Sequence, residues 1–222
     1  MTLPALDWEK MNGLIPAIVQ DAASGAVLMM GYMNREALAA TENTAHVTFW
    51  SRSKHRLWTK GETSGHFLNV CSISADCDRD ALLILAQPAG PACHLGTATC
   101  WGEDAPQSIA QRVGFLGKLQ QIVGERLAAS PEGSYTAKLA AQGISRVAQK
   151  VGEEALELAL AAVAQSDENI VGEAADLLYH TLVLLSVKGL SLAQVTAELE
   201  ARHGQRPNSA ATHRSQSPSK RR

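Results

Sequence analysis

The sequence has little cysteine, little net charge and no long apolar run, and each shortage excludes a class of protein. A net charge of −2 gives no global electrostatic attraction to nucleic acid or to an anionic membrane. Four cysteines in 222 residues do not make a disulfide scaffold, and clustered cysteines in a cytosolic protein more often bind metal or take part in catalysis. No uninterrupted apolar run approaches the roughly 20 residues that a membrane helix needs, and the N-terminus has no basic segment followed by an apolar one. We therefore expect a soluble cytoplasmic protein that binds neither nucleic acid nor membrane.

The composition changes near residue 106, which predicts two domains in an α+β protein. Residues 1–105 contain all the cysteines and tryptophans, and their short apolar runs at 26–30, 46–50 and 68–73 predict a mostly-β barrel or sandwich, with one helix after the N-cap Asn34. Residues 107–203 have helical periodicity and predict an all-α bundle, with helices at 109–127, 135–164 (interrupted near Gly143), 168–187 and 191–203. Residues 204–222 are rich in Ser, Pro and Arg and predict a disordered basic tail.

Three carboxylates alternate with other residues at Asp76, Asp78 and Asp80, with Cys77 between the first two. In an extended backbone the three acids would share one face and the thiol would point away from them. An oxygen cluster suits Mg²⁺ or Mn²⁺, whereas a thiolate suits Zn²⁺. The alternative is a solvated acidic turn before the apolar run that starts at Ala81.

Cys93 and Cys100 lie on a short segment further along the chain and, with Cys77, could supply three thiolates to one Zn²⁺. Three protein ligands leave a fourth position for water, as in catalytic zinc sites. The alternative is that these cysteines are small buried apolar residues.

A basic segment at 49–66 carries hydroxyls and glycines, which is typical of a phosphate-binding surface. Either Trp50 or Trp58 could stack on a base. The candidate substrate-binding residues of this segment are Trp50, Arg52, Ser53 and Lys60. The alternative is a basic hairpin whose tryptophans belong to the core.

Taken together, residues 28–101 resemble phosphoribosyl-AMP cyclohydrolase. The resemblance rests on six motifs in one order: GYMN at 31–34, FWSRS at 49–53, LWTKGE at 57–62, SGH at 64–66, DCDRD at 76–80 and GPACH at 90–94. It implies a Zn²⁺ site shared across a homodimer, with the ligands Cys77, Cys93 and Cys100. It also implies a Mg²⁺ site with the ligands Asp76, Asp78 and Asp80.

The implied reaction is hydrolysis of the adenine ring of phosphoribosyl-AMP between N1 and C6 by a zinc-activated water. The product is a formimino-linked aminoimidazole carboxamide ribotide. His94, next to a zinc ligand, is a candidate proton shuttle, with a structural role as the alternative.

The second half carries acidic residues on two successive predicted helices. Lys150, Glu153, Glu154 and Glu157 span one arc of the first helix, and Glu173, Asp176 and His180 share one side of the next. Carboxylates on facing helices are how helical bundles build sites for divalent metals. The alternative is a solvated acidic stripe with i,i+4 pairing.

Residues 115–203 resemble phosphoribosyl-ATP pyrophosphatase, one of the all-α nucleoside triphosphate pyrophosphohydrolases. The motifs are GSYTAKL at 133–139, KVGEE at 150–154 and EAADL at 173–177. The resemblance implies Mg²⁺ held by five carboxylates: Glu153, Glu154, Glu157, Glu173 and Asp176. Lys138 and Lys150 would contact phosphate oxygens.

The two resemblances together imply a bifunctional, homodimeric enzyme that catalyses consecutive steps of histidine biosynthesis. One rival is a broader nucleotide pyrophosphohydrolase with a degenerate N-terminal domain, but all six N-terminal metal ligands are present. The other is a regulator that binds nucleotide around a structural zinc. It requires a fourth protein ligand, for which Cys71 and His94 are the nearest candidates.

Overall fold

A computed structural model of the chain describes residues 3–102 and 109–203. The chain divides into two compact units, Met1–Ala141 and Gln142–Arg222. The predicted tail at 204–222 and the predicted boundary near residue 106 lie outside the described residues. The predicted domain boundary near residue 106 differs from the division of the units at residue 141, because the helices Ile109–Ala129 and Tyr135–Ala141 follow residue 106 but belong to the first unit. The boundary therefore stays a prediction.

The first unit is built on a four-stranded mixed sheet. Its strands are β1 (Ile15–Asp21), β2 (Val27–Met33), β5 (Leu68–Ala75) and β6 (Leu82–Pro88), and a separate ribbon pairs β3 (Thr48–Ser51) with β4 (Arg56–Thr59). The strand order is β2-β1-β6-β5, with β1 and β6 parallel and the other neighbours antiparallel. The predicted strands are confirmed, but within residues 3–102 neither sheet closes into a barrel.

Alternation along the central strands puts the core on one face of the sheet. Ile15, Ala17 and Val19 of β1 are buried, as every second residue of a half-buried strand should be. On the opposite face, Ile18 is paired with Met30 of β2 and with Leu83 of β6, and all three side chains are exposed. The sheet therefore presents a row of apolar side chains away from its own core.

Helix α1 (Arg35–Thr44) begins where the sequence predicts it. The side chain of Asn34 accepts a hydrogen bond of 2.8 Å from the backbone N–H of Ala37, which satisfies one of the free donors of the first turn. The first unit also contains α2 (Ile109–Ala129) and α3 (Tyr135–Ala141), and α2 lies against the β1–β2 turn. A Cβ at Gly114 would lie 2.0 Å from the carbonyl oxygen of Ser24, so this contact requires glycine.

The second unit consists of α4 (Ile144–Ala164), α5 (Asp167–Val187) and α6 (Leu192–His203), with α4 packed against α5. The predicted interruption is confirmed, because Gly143 with φ +92° separates α3 from α4 in a conformation that favours glycine. The predicted capping box is also confirmed: Gln194 Oε1 accepts from the N–H of Ser191 at 2.8 Å, and Ser191 Oγ accepts from the N–H of Gln194.

Helix α5 is long and apolar enough to cross a membrane, by length and composition only. Length and composition alone are weak grounds for a membrane span, because core helices of globular proteins pass the same test. Here α5 packs against α4 and carries Glu173 toward the acidic residues of that helix. Only 17% of its most apolar stretch is buried within the described part of one chain, so this contact covers part of its apolar surface and leaves Val171 and Leu178 exposed.

Candidate functional site

The three aspartates lie in the turn between β5 and β6, not on an extended strand. Arg79 has φ +64°, and the carboxylate of Asp76 accepts hydrogen bonds from the N–H groups of Asp80 (3.0 Å) and Ala81 (3.1 Å). The prediction of an extended backbone is therefore wrong, because the left-handed residue and the Asp76 cap fold the segment into a loop. That loop still brings one oxygen each of Asp76, Asp78 and Asp80 within 4.8 Å of one another.

Cys77 stays beside the carboxylates of this turn. Its thiol is exposed, and Sγ lies 3.9 Å from Oδ1 of Asp78. The prediction that it points away from the acids is wrong for the same reason, since the residues of a turn do not alternate between two faces.

The ammonium group of Lys10, which the sequence analysis did not predict, contacts two of the aspartates. Lys10 Nζ is in contact with Oδ2 of Asp78 and lies 2.6 Å from Oδ2 of Asp80. The hydrogen bond from Lys10 lowers the pKa of the Asp78 carboxyl. No local pattern links the two residues, which are 68 positions apart in the chain.

Cys93 and Cys100 lie close enough for each thiol to influence the pKa of the other. The N–H of Cys100 donates to the carbonyl of Leu28 on β2 (2.8 Å), and the N–H of Cys93 donates to the carbonyl of Thr97 (3.1 Å), so both backbones are fixed. Within the described residues of one chain, Cys77 does not join this pair in a three-ligand cluster. A single chain therefore assembles two of the three predicted zinc ligands.

The two thiols differ in acidity. The backbone N–H of Leu95 and the side chain of Thr97 hold the pKa of Cys93 below its usual value. Burial and the neighbouring Cys93 raise the pKa of Cys100, while the positive charge of Lys60 acts in the opposite direction. Cys93 is thus the thiol that is more readily converted to its thiolate. The exposed His94 places Nδ1 3.8 Å from its sulfur.

The basic segment forms the β3–β4 ribbon and the turn after it, and its predicted substrate-binding residues differ in burial. Arg52 and Ser53 are exposed in the turn, where the Arg52 guanidinium stacks on the ring of Tyr32 at 4.1 Å. Trp50 is half-buried on β3. Lys60 is only 7% exposed and donates to the carbonyl of His66 at 3.3 Å. Because its positive charge acts on the pKa of Cys100, Lys60 belongs to the surroundings of the thiol pair more than to the exposed turn.

In the second unit, α4 and α5 bring together three carboxylates. Oxygens of Glu154, Glu157 and Glu173 lie within 4.8 Å of one another, and Glu154 is 5% exposed. Partial desolvation and the charges of Glu154 and Glu173 raise the pKa of Glu157. A cation at this position would relieve that repulsion.

Lys150 and His180 flank the buried Glu154. Lys150 Nζ lies 2.6 Å from Oε1 of Glu154 and 3.0 Å from Oε2 of Glu153. His180 Nδ1 lies 3.7 Å from the same oxygen of Glu154, and it donates to the carbonyl of Asp176 at 2.9 Å, since a carbonyl only accepts. Lys150 is thus held by carboxylates in this state of the site.

Two of the five predicted carboxylate ligands lie outside the three-residue cluster. Glu153 is engaged by Arg146 at 3.1 Å and by Gln149 at 2.8 Å, and Asp176 is exposed. Sequence reasoning missed Arg146, although a spacing of seven residues puts it on the same helix face as Glu153. Lys138 is exposed on α3 in the first unit.

Two family models match successive parts of the chain. The model described as phosphoribosyl-AMP cyclohydrolase matches residues 29–102, and the model described as phosphoribosyl-ATP pyrophosphohydrolase matches residues 116–203. A relative from Escherichia coli, the histidine biosynthesis bifunctional protein HisIE, is 57% identical over 198 residues, which cover 89% of this chain and 95% of the relative.

The chain belongs to this family of bifunctional proteins of histidine biosynthesis. HisIE proteins from Photobacterium profundum (54% identity, 89% of this chain and 96% of the relative) and Vibrio cholerae (56%, 89% and 93%) are similarly close. The chain is a hydrolase that joins a cyclohydrolase domain to a pyrophosphohydrolase domain. The cyclohydrolase match begins at residue 29, so Lys10 and β1 lie before it.

Proposed function

We propose that the acidic cluster of α4 and α5 holds Mg²⁺ for cleavage of phosphoribosyl-ATP to phosphoribosyl-AMP and pyrophosphate. The observation that carries this proposal is the convergence of Glu154, Glu157 and Glu173 within 4.8 Å in the region that matches the pyrophosphohydrolase family. Carboxylate oxygens are the ligands that Mg²⁺ prefers. Glu153 and Asp176 stay predicted ligands, at the margin of this cluster.

Mg²⁺, when bound, supplies charge that neutralises the triphosphate and a template that orients the attacking water. The chain contributes Lys150, which contacts Glu153 and Glu154 and whose ammonium would be available to phosphate oxygens with a divalent cation held by the carboxylates. Lys138 is the second predicted phosphate contact. Water adds across the bond between the α- and β-phosphoryl groups, and pyrophosphate leaves.

For the first unit we propose that the thiols bind Zn²⁺ and that the aspartates bind Mg²⁺. The lowered pKa of Cys93 and its proximity to Cys100 suit a thiolate-rich site, and the oxygens of the aspartates suit a hard cation. Zn²⁺, when bound, supplies a Lewis acid that makes water nucleophilic near neutral pH. His94, beside Cys93, would move the proton during opening of the ring between N1 and C6.

Residues of the ribbon would position phosphoribosyl-AMP. The exposed Arg52 and Ser53 offer charge and a hydroxyl to phosphate, and the half-buried Trp50 offers a ring face for stacking. Lys60 is buried and its charge acts on Cys100, so it would offset the negative charge of a zinc site made of three thiolates.

We further propose a homodimer in which Cys77 of one chain completes the zinc site of the other. The separation of Cys77 from the Cys93–Cys100 pair within one chain supports this proposal. The exposed apolar row of Ile18, Met30 and Leu83 offers one surface for a second copy. Helices α4 and α5 offer another, through their exposed residues Leu156, Leu160, Val163, Val171 and Leu178. Burial of this apolar surface by a second copy is consistent with a cytoplasmic enzyme.

Mixing two inactive variants tests the shared zinc site. Cys77→Ser and Cys93→Ser chains should each bind no zinc at the catalytic site. In a mixed dimer one site is complete and the other lacks two ligands, so random exchange should restore about a quarter of the wild-type zinc and ring-opening activity. Mixed dimers that stay free of zinc would contradict sharing, and a wild type without stoichiometric zinc would contradict the zinc assignment itself.

A further inference from the structure

Lys10 reaches the aspartate turn from a segment that is itself firmly anchored. Trp8 is buried in the core, with Arg35 stacked over its ring at 5.2 Å, and the N–H of Gly13 donates to the carbonyl of Trp8 at 2.7 Å. The N–H of Asp7 donates to the carbonyl of Arg79, in the aspartate turn, at 2.8 Å. The backbone on both sides of Lys10 is therefore tied to the core or to the turn that its side chain contacts.

The ammonium contacts two carboxylates at once. Oδ2 of Asp78 and Oδ2 of Asp80 both bind Nζ, and the Asp80 side chain is only 20% exposed. One oxygen of Asp76 is already occupied by the backbone N–H groups of Asp80 and Ala81. Lys10 thus offsets one of the two negative charges of Asp78 and Asp80 and occupies one oxygen of each.

We propose that the Lys10 ammonium is an internal cation of the aspartate turn and that a divalent cation binds there by displacing it. The proposal rests on the proposed role of Asp76, Asp78 and Asp80 as a Mg²⁺ site. An ammonium and a metal ion cannot share the same two oxygens at contact distance, because their positive charges repel. Lys10 therefore lowers the affinity of the turn for metal and offsets part of its negative charge until a metal displaces the ammonium.

A Mn²⁺ titration of the full-length chain tests this competition. The chain would be loaded with Zn²⁺ and would carry Glu154→Gln and Glu173→Gln, which silence the other carboxylate cluster. Lys10→Met should tighten Mn²⁺ binding by roughly three- to tenfold, since it removes both the ion pair and the charge repulsion. Lys10→Arg, which keeps the charge, should bind Mn²⁺ much as the parent does. Lys188→Met, which removes a lysine charge at the end of α5, should not change the affinity.

Asp78→Asn with Asp80→Asn separates failure of this inference from failure of the metal site. Suppose that these changes abolish Mn²⁺ binding but that Lys10→Met leaves the Mn²⁺ affinity unchanged. The metal site then stands, and the proposed displacement of Lys10 is wrong. If no variant shows Mn²⁺ binding that depends on the aspartates, the metal site is wrong and the inference with it.

Chemical labelling gives a second readout that does not depend on the Lys10→Met variant folding. Acylation of Lys10 in the otherwise unaltered chain, followed by peptide mass analysis, should become several-fold faster when Mg²⁺ is added, because displacement frees the amine. The labelling rate of Lys188 should stay constant. Acylation of Lys10 that is independent of Mg²⁺, at concentrations that saturate the site, would overturn the proposal.

Discussion

Lys150 Nζ lies 2.6 Å from Oε1 of Glu154, a carboxylate that is almost fully buried between α4 and α5. A buried charge is tolerated when an opposite charge or a metal compensates it. Lys150 supplies that compensation while it also contacts Glu153 at 3.0 Å. If the cluster binds a divalent cation as proposed, that cation would take over the charge compensation that Lys150 supplies here.

Removing this ammonium should destabilise the metal-free second unit. Lys150→Met leaves the Glu154 carboxylate buried without its partner, which should cost about 1–3 kcal/mol in free energy of unfolding. Mg²⁺ or Mn²⁺ should restore more stability to the variant than to the wild type, because the metal replaces the lost charge. Urea unfolding followed by the helical circular dichroism signal, with and without metal, measures both effects.

Lys150→Arg is the matched control for this experiment, since it keeps the positive charge and should stay close to the wild type without metal. A Lys150→Met chain that is as stable as the wild type in the absence of metal would show that Glu154 does not need this ion pair.

A second prediction concerns acid stability and the ion pair between Arg56 and Glu62. Arg56 Nη2 lies 2.5 Å from Oε1 of Glu62, and this hydrogen bond lowers the pKa of the Glu62 carboxyl. Since the folded pKa lies below the unfolded value of about 4.3, the pair stabilises the fold above that pH, and the contribution is lost as pH falls through the folded pKa. Glu62→Gln should therefore be less stable than the wild type at neutral pH, with a difference that closes on acidification.

Tryptophan fluorescence during urea unfolding measures this pH dependence, because all four tryptophans lie in the first 105 residues. Arg56→Gln should give the same pH profile as Glu62→Gln, and combining the two changes should add little. A stability difference that persists below the titration range of Glu62 would show that the loss comes from packing and not from the ion pair.

A third prediction concerns the packing of β2 against β3. A Cβ at Gly31 would lie 2.4 Å from Cδ1 of Phe49, a side chain that is 2% exposed. Gly31→Ala should therefore cost about 1–3 kcal/mol in free energy of unfolding, because the buried ring has to move.

Gly124→Ala on α2 is the control for this substitution. No described atom lies within 4 Å of a Cβ built there, so the change should stabilise the chain by up to about 1 kcal/mol through helix propensity. Thermal unfolding of the two variants beside the wild type compares them. Equal stability of Gly31→Ala and the wild type would show that Phe49 can shift without strain.

Local patterns predicted the helices and their ends well. Asn34 caps α1, Gly143 interrupts the long helical segment, and Ser191 with Gln194 opens α6, all as expected from the sequence. These features depend on contacts within about four residues, where backbone hydrogen-bonding needs determine the choice of side chain. The parallel pairing of β1 with β6 joins residues more than sixty positions apart, and no local signal specifies it.

The candidate sites could be predicted in composition but not in geometry. The sequence predicts the three aspartates as one oxygen cluster, yet the φ of +64° at Arg79 determines their actual arrangement. It does not predict that Lys10 lies on that cluster, nor that Arg146 engages Glu153. These contacts depend on tertiary packing and on the choice of rotamer, which residue spacing alone does not determine.

The most direct test of two separate active sites is an assay of Cys93→Ser and Glu154→Gln on both substrates, with Mg²⁺ and Zn²⁺ present. Wild type should convert phosphoribosyl-ATP to pyrophosphate and the ring-opened ribotide. Cys93→Ser should accumulate phosphoribosyl-AMP. Glu154→Gln should lower the rate of pyrophosphate release by at least about a hundredfold. It should still open the ring of supplied phosphoribosyl-AMP at the wild-type rate. If either substitution abolishes both reactions in a folded chain, or if wild type never opens supplied phosphoribosyl-AMP, the assignment of one chemistry to each half is contradicted.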